Sequence, residues 1–399
     1  MSLHQGRPYL AIPGPSVVPD RVLAAMHRPS PNIYTGPLID MTRTLFPDLK
    51  ALVGTQHEMA IYITNGHGTW EASLSNVVSP GDTVLVLGTG AFCLGWGGMA
   101  RDLGLKTQIL DFGNQSDIDL TQVEAALRAD TDHQIKAVLA VHVDTSTSVK
   151  NDVAGLRKTL DLVGHPALMM IDCIASLGCD EYRMDDWGAD VTIAACQKGL
   201  MTPAGVGFVF FNDRAAAARE NCQPSQYWDW KPRANADEYW QHFDGTAPTH
   251  HLYGLREALN MIKEEGLEAL WARHAALAGA IWAAVDVWGQ TGEMTLNIAT
   301  PEKRSNAVTS IAMTAPNADR LRAYTETVAG VTLGIGLGRD PASGYFRIGH
   351  MGHVSAHMIM GMLGAIDMGL KALNIPHGAG ALDAASQHLC DAAAQSVRP

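Results

Sequence analysis

Ala167-Leu168-Met169-Met170-Ile171-Asp172-Cys173-Ile174-Ala175-Ser176-Leu177-Gly178, followed after a short interval by Ala194-Ala195-Cys196-Gln197-Lys198-Gly199, decides the fold. Each stretch is an apolar run that ends in or just before a charged residue, and the interval between them fits one crossover. Two parallel strands would then bring Asp172 and Lys198 to the same sheet edge, where ligands bind in α/β folds. A desolvated lysine at that edge has a lowered pKa and can form a Schiff base. Each residue also has an ordinary reading, Lys198 as an exposed loop lysine and Asp172 as a helix N-cap.

Outward from this pair, short apolar runs alternate with amphipathic segments from about residue 60 to 212, the pattern of a parallel sheet covered by helices. Seven strands are expected, at Met59–Ile63, Thr83–Leu87, Thr107–Leu110, Ala137–His142, Ala167–Asp172, Val191–Ala195 and Gly207–Phe211. Three- and four-residue spacing predicts helices at Trp70–Val78, Cys93–Leu103, Thr121–Ala129 and Val153–Leu162. From Thr249 to about Val287 the pattern is continuously helical, with a domain boundary inside it. Beyond it, strands at Met294–Ile298, Val308–Met313, Val331–Leu333 and Tyr345–Ile348 and helices at Ala318–Val328 and Val354–Ala372 predict a smaller α+β unit. The expected division is an N-terminal arm (1–20), a large cofactor-binding domain (21–265) and a small C-terminal domain (266–399). Gln223–Phe243, rich in Trp, Tyr, Asp and Pro without a clean period, reads as a long excursion loop.

Composition narrows the function. The 399 residues are 47% apolar and 18% charged, enough for a sizeable core, and the net charge of −12 argues against nucleic acid or an anionic membrane as partner. Gly, His, Asp or Lys interrupts every apolar run before it could span a membrane, and no secretory signal is visible, so a cytoplasmic location is expected. The six cysteines form no C-x-x-C pair and read as free thiols. A small-molecule substrate fits best. An amine to hold an aldehyde and a carboxylate to keep a pyridine nitrogen protonated are what pyridoxal phosphate requires, and Lys198 and Asp172 supply them. Thr64-Asn65-Gly66-His67-Gly68-Thr69, directly before a helix, adds backbone N–H groups and a helix dipole suited to a phosphate.

These elements resemble the class V aminotransferases of pyridoxal-phosphate fold type I, and most of all the alanine/serine–glyoxylate aminotransferase group. The resemblance runs from Ile12-Pro13-Gly14-Pro15-Ser16 through Asn65-Gly66-His67, Trp70-Glu71-Ala72, His142-Val143-Asp144-Thr145-Ser146-Thr147, Asp172 to Gly178 and Gln197-Lys198. It continues through Thr246-Ala247-Pro248, Leu252-Tyr253-Gly254-Leu255-Arg256-Glu257 and Phe346-Arg347-Ile348-Gly349. It implies a mostly parallel seven-stranded sheet, pyridoxal 5'-phosphate as cofactor, and a homodimer with shared active sites. Lys198 becomes the Schiff-base lysine and proton shuttle, and Asp172 the partner of the pyridine nitrogen. Asn65, Gly66, His67 and Gln197 are implied at the phosphate, Ser146 near the phenolic oxygen, and Phe92 and Ile174 on the two ring faces. Arg347 is implied to bind the substrate α-carboxylate, and Thr246 to reach the phosphate from the partner subunit.

Two departures stand out. Phe243 occupies the place of a tyrosine that contacts the phosphate in the family, and Pro31-Asn32-Ile33-Tyr34 replaces a His-Arg pair, which makes Tyr34 a candidate active-site side chain. Other apparent motifs carry less. Gly88-Thr89-Gly90 lacks the third glycine of a dinucleotide fingerprint, Gly334 to Gly338 reads as a flexible loop near the substrate, and the paired histidines lack metal-site spacing. Trp228-Asp229-Trp230-Lys231 reads as an interface anchor. The expected reaction moves an amino group from a small amino acid to a small 2-oxo acid. The rival readings are a class V lyase, for instance a cysteine desulfurase using Cys390, and a catalytically silent relative, which would have no chemical need to keep Lys198, Asp172 and Arg347 together.

Overall fold

The protein, described here from a computed structural model over residues 3–396, is built on two separate sheets. Strand β1 (Tyr9–Ala11) lies in the N-terminal arm. It is followed by β2 (Glu58–Tyr62), β3 (Thr83–Gly88), β4 (Lys106–Asp111), β5 (Ile135–Val141), a short hairpin β6 (Val143–Asp144) and β7 (Val149–Lys150), then β8 (Leu168–Asp172), β9 (Val191–Ala195) and β10 (Gly207–Phe211). The large sheet has seven strands in the order β2-β10-β9-β8-β5-β3-β4. All seven expected strands are there, two with the expected bounds and five with ends shifted by a residue or two. The sheet is mostly parallel, as expected: β9, β8, β5, β3 and β4 are parallel neighbours, while β10 runs antiparallel to both β9 and β2.

The continuous apolar runs are explained by burial on both faces. In β8, Met169 and Ile171 join one core, with Leu85, Val138 and Phe208, while Leu168 and Met170 join the other, with Val86, Leu139 and Ile193. Helices Gly66–Val77 and Ala91–Asp102 cover the second face through Trp70, Leu74, Cys93 and Trp96. Helices Pro37–Val53, Val153–Val163 and Thr249–Glu265 cover the first. The connection from β8 to β9, the interval that fits one crossover, contains no α-helix and is made of turns.

The smaller sheet holds β11 (Thr295–Leu296), β12 (Val308–Ala312), β13 (Val331–Ile335) and β14 (Tyr345–Gly349) in the order β1-β13-β14-β12-β11. The arm therefore supplies an edge strand, which its Pro- and Gly-rich flanks concealed. Gly334 and Ile335, expected in a flexible loop, belong to β13. The continuous helical pattern after Thr249 is two helices, Thr249–Glu265 and Leu267–Gly289, separated by Gly266 at φ +85°, a conformation that favours glycine.

The aromatic excursion is more ordered than expected. It contains helix Trp230–Ala234 and a 3₁₀ turn at Tyr239–His242. Trp230 is not an interface anchor: it is buried in the chain's own core, stacked on Phe211 at 4.2 Å between ring centroids. Phe243 is likewise fully buried and packs edge-on against Tyr239.

Candidate active site

Because β8 and β9 are adjacent and parallel, Asp172 at the end of one and Lys198 just past the end of the other meet at a single cavity of about 270 Å³. Asn65, Gly66, His67, Phe92, Ile174 and Gln197 also line it, together with Gly14, Trp70 and Thr145.

Lys198 is held from the N-terminal arm. Its Nζ donates to the Pro13 carbonyl, and Ser16 Oγ donates to the Lys198 carbonyl at 2.7 Å. A Cβ at Gly14, whose φ is +104°, would collide with the lysine amine, so only glycine lets the arm close here. Burial, aided by the Arg347 cation, lowers the amine from 10.5 to about 8. Near neutral pH it is poised to act as a nucleophile or base.

Asp172 forms the floor of the cavity. It accepts the Trp70 indole N–H and the Ile174 backbone N–H, each at 2.7 Å. Burial nevertheless raises its pKa from 3.8 to about 6 despite these donors. A carboxylate in that condition gains from a cation placed against it.

Asn65 caps helix Gly66–Val77: its side-chain oxygen accepts from His67 N at 3.1 Å and Gly68 N at 3.4 Å. The His67 ring lies against Trp70, 4.5 Å between centroids. A Cβ at Gly66 would strike Ile174, so this glycine allows the helix start and the Asp172–Ile174 turn to close on each other. Gln197 brings to the cavity wall a buried side-chain oxygen with no hydrogen-bond partner among the described residues. Buried amides are normally satisfied, so this group marks a place for a polar ligand. Phe92 stands edge-on to Trp70 at 6.3 Å.

Four expected site residues stand apart from this lining. Ser146 is turned away: it is buried, donates from Oγ to Asp144 Oδ1 at 2.6 Å and accepts from Ala91 N at 2.9 Å, while its neighbour Thr145 faces the cavity. Arg347 is 7% exposed one layer behind Thr145, donating to the Thr145 carbonyl at 2.8 Å and the Ile335 carbonyl at 2.7 Å. Tyr34 is 82% exposed and does not reach the cavity of its own chain, its local loop being closed by Asn32. Thr246 is exposed and also lies off that cavity.

Sequence reasoning left Trp70, Thr145 and Gly14 without roles. The signal for Trp70 is its place one turn into a helix whose cap is already at the sheet edge. Trp70→Phe keeps an aromatic ring, smaller than the indole, but removes the donor to Asp172. It is expected to cost about 1.5–3 kcal/mol of stability at pH 7.5, the usual worth of a hydrogen bond to a charged group. Asp172 titrates near 6, so thermal melts at pH 5 should show a smaller gap between variant and parent.

The sequence and the fold both have relatives among known proteins. A family model described as aminotransferase class-V matches residues 9–336. The chain is 34% identical over 391 residues to the serine–glyoxylate aminotransferase of Methylorubrum extorquens, covering 96% of each. It is 33% identical to the L-aspartate–glyoxylate aminotransferase of Paracoccus denitrificans, covering 94% of each. In fold it matches the crystal structure of pyridoxamine–pyruvate aminotransferase from Mesorhizobium loti with a TM-score of 0.87 at 23% identity, over 98% of this chain and all of that one.

Proposed function

The chain belongs to the class-V aminotransferases, and we propose that it moves an amino group from a small amino acid such as alanine or serine to a small 2-oxo acid such as glyoxylate or pyruvate, with pyridoxal 5'-phosphate held on Lys198. The observation that carries this reading is the meeting of a lysine lowered to about 8 and a buried carboxylate at one cavity. The cavity suits the cofactor on three grounds: among the described residues Asp172 is in no ion pair, the Gln197 amide has an unpartnered oxygen, and the N-terminus of helix Gly66–Val77 lies at the cavity wall.

Pyridoxal phosphate, when bound, supplies an aldehyde for the amine and a ring that withdraws electrons from the substrate carbon. Asp172 would hold the proton on the ring nitrogen, and Gly66, His67 and Gln197 would hold the phosphate beside Asn65. Phe92 and Ile174 would flank the ring. Lys198 Nζ, freed by the incoming donor amine, would take the proton from the donor's Cα as base and deliver it as acid. Arg347 would bind the substrate carboxylate. The exposed Thr246, off its own cavity, supports a homodimer in which it completes the partner's phosphate site. This reading treats residues 21–265 as the cofactor-binding domain and 266–399 as the small domain, supported by the helix break at Gly266. It places the protein in the cytoplasm, in line with six free cysteines, and among the described residues no helix is long and apolar enough to cross a membrane.

The lyase reading has less support, because none of the cysteines lines the cavity and Cys390 is exposed on the terminal helix Ala381–Ser396, which packs on helix Leu267–Gly289. A panel of amino donors against glyoxylate and pyruvate, with borohydride trapping and peptide mass mapping, tests the proposal. We expect transamination with alanine or serine and the trapped cofactor on the peptide carrying Lys198. A trapped adduct on another lysine, or elimination products in place of the oxo acid, would overturn it.

A further inference from the structure

Helix Ala91–Asp102 begins unlike four of the helices around the large sheet. Helices starting at Gly66, Leu120, Val153 and Asp213 are each capped by their own preceding side chain, Asn65, Asp119, Asp152 and Asn212. The residue before Ala91 is Gly90, which has no side chain to offer. The first-turn N–H groups are instead taken up from a distant segment. Asp144 Oδ2 accepts from Phe92 N at 2.9 Å and Cys93 N at 3.3 Å. Its other oxygen accepts Ser146 N at 2.9 Å and Ser146 Oγ at 2.6 Å, and Ser146 Oγ in turn accepts Ala91 N at 2.9 Å. Asp144 is fully buried, and a Cβ on Gly90 would run into its carboxyl group, so the fit excludes a self-capping residue at position 90.

We infer that Asp144 is a positioning residue for the cofactor, its carboxylate fixing the first turn of this helix and so the place at which the Phe92 ring stands over the cavity. The clamp is bidentate and charged, which makes it directional: both oxygens must accept, and a helix N-terminus favours the negative charge. Phe92 is the first residue that Asp144 itself grips and also a lining side chain, so displacement of the turn moves its ring directly. The groups facing the carboxylate are the N–H donors named above and Ser146, with Arg347 and Arg339 the nearby cations and Asp172 the nearby anion. This inference rests on the proposed binding of pyridoxal phosphate in the cavity and adds the residue that aligns its stacking partner.

Asp144→Asn preserves shape but turns one acceptor into a donor facing N–H groups. Pyridoxal phosphate titrations of the apo forms of parent, Asp144→Asn, Phe92→Leu and the double variant, with the cofactor's induced circular dichroism band, provide the test. We expect Asp144→Asn to weaken cofactor binding at least tenfold and to diminish the induced band, and to add no more than about twofold once Phe92 is already leucine. Ser146→Ala, which removes the Ala91 arm of the clamp and one of the donors to Asp144 Oδ1 but leaves the Phe92 and Cys93 contacts, covers the case in which Asp144→Asn fails to fold. It should stay folded with a modestly lowered melting temperature, bind three- to fivefold more weakly, and show the same loss of additivity with Phe92→Leu. Multiplicative effects in the double variants, or an unchanged band in a folded Asp144→Asn protein, would overturn the inference while leaving the proposed activity standing. A parent that does not bind pyridoxal phosphate would overturn both.

Discussion

Replacing Lys198 by alanine is expected to lower turnover by about 10²–10⁴-fold, the usual worth of a positioned general acid–base group, and to abolish borohydride trapping at that peptide. Binding of the cofactor itself should survive in weakened form, because Asp172, Gln197 and the helix start at Gly66 remain. Exogenous small amines should restore part of the proton transfer if the loss is chemical. A second signature belongs to the unliganded protein. The amine's pKa is about 8 there against an ordinary 10.5, so between those values the unfolded chain binds more protons at this site than the folded one. Stability due to this group therefore rises with pH across that window, and its penalty is full below it. The alanine variant has no such dependence, so its melting temperature relative to the parent should fall steadily from pH 7.5 to pH 10. A parallel pair of curves would mean that Lys198 is not desolvated at the sheet edge, and turnover above one-tenth of the parent's would remove it from the catalytic step.

The lysine and its carboxylate partner were legible because both depend on a one-dimensional rule: where an apolar strand ends, its last polar side chain lies at the ligand edge. The seven strands followed from the same runs, since burial on both sheet faces leaves near-continuous apolar sequence. Strand direction was not legible. The run Gly207–Phe211 has the same composition whether it enters the sheet parallel or antiparallel, and only the short connection from Lys198 to Gly207, too brief for a parallel return, could have indicated the reversal. The arm strand Tyr9–Ala11 escaped for another reason: three residues carry no period, and their burial depends on β13, far along the chain.

Side-chain direction was the other limit. Thr145 and Ser146 are adjacent hydroxyl residues, and nothing in the order of letters says which faces the cavity. The structure decides it through Asp144, which draws Ser146 into the clamp on Ala91 and leaves Thr145 exposed to the site. Tyr34 and Trp230 show the same limit from opposite sides. The first is polar-aromatic and solvent-facing, the second aromatic and consumed by the core, and composition alone treats them alike.

Arg347→Lys is expected to lower the specificity constant for both the amino donor and the oxo acceptor by roughly ten- to a hundredfold, while leaving the cofactor spectrum unchanged. The arginine's partners are backbone carbonyls, those of Thr145 and Ile335, rather than carboxylates. Those two bonds use two of the five guanidinium donors and orient the rest. Burial lowers its pKa to about 10, with Asp144 pulling the other way, so it stays charged at neutral pH. A lysine keeps the charge, but a single ammonium cannot tie Thr145 and Ile335 together and also present a planar fork to a carboxylate. Losing one hydrogen bond to a charged group costs about 1.5–3 kcal/mol, and each ~1.4 kcal/mol is tenfold in rate, which gives the stated range. The released carbonyls should also lower the melting temperature, so stability and substrate affinity must be read together. Single-turnover measurement of each half-reaction beside a thermal melt separates them. Substrate binding predicts that both half-reactions slow in proportion, because donor and acceptor share the α-carboxylate. A lowered melting temperature with both half-reactions intact would confine Arg347 to stapling β14 to the loop after β6, and the carboxylate would have to be bound elsewhere in the cavity.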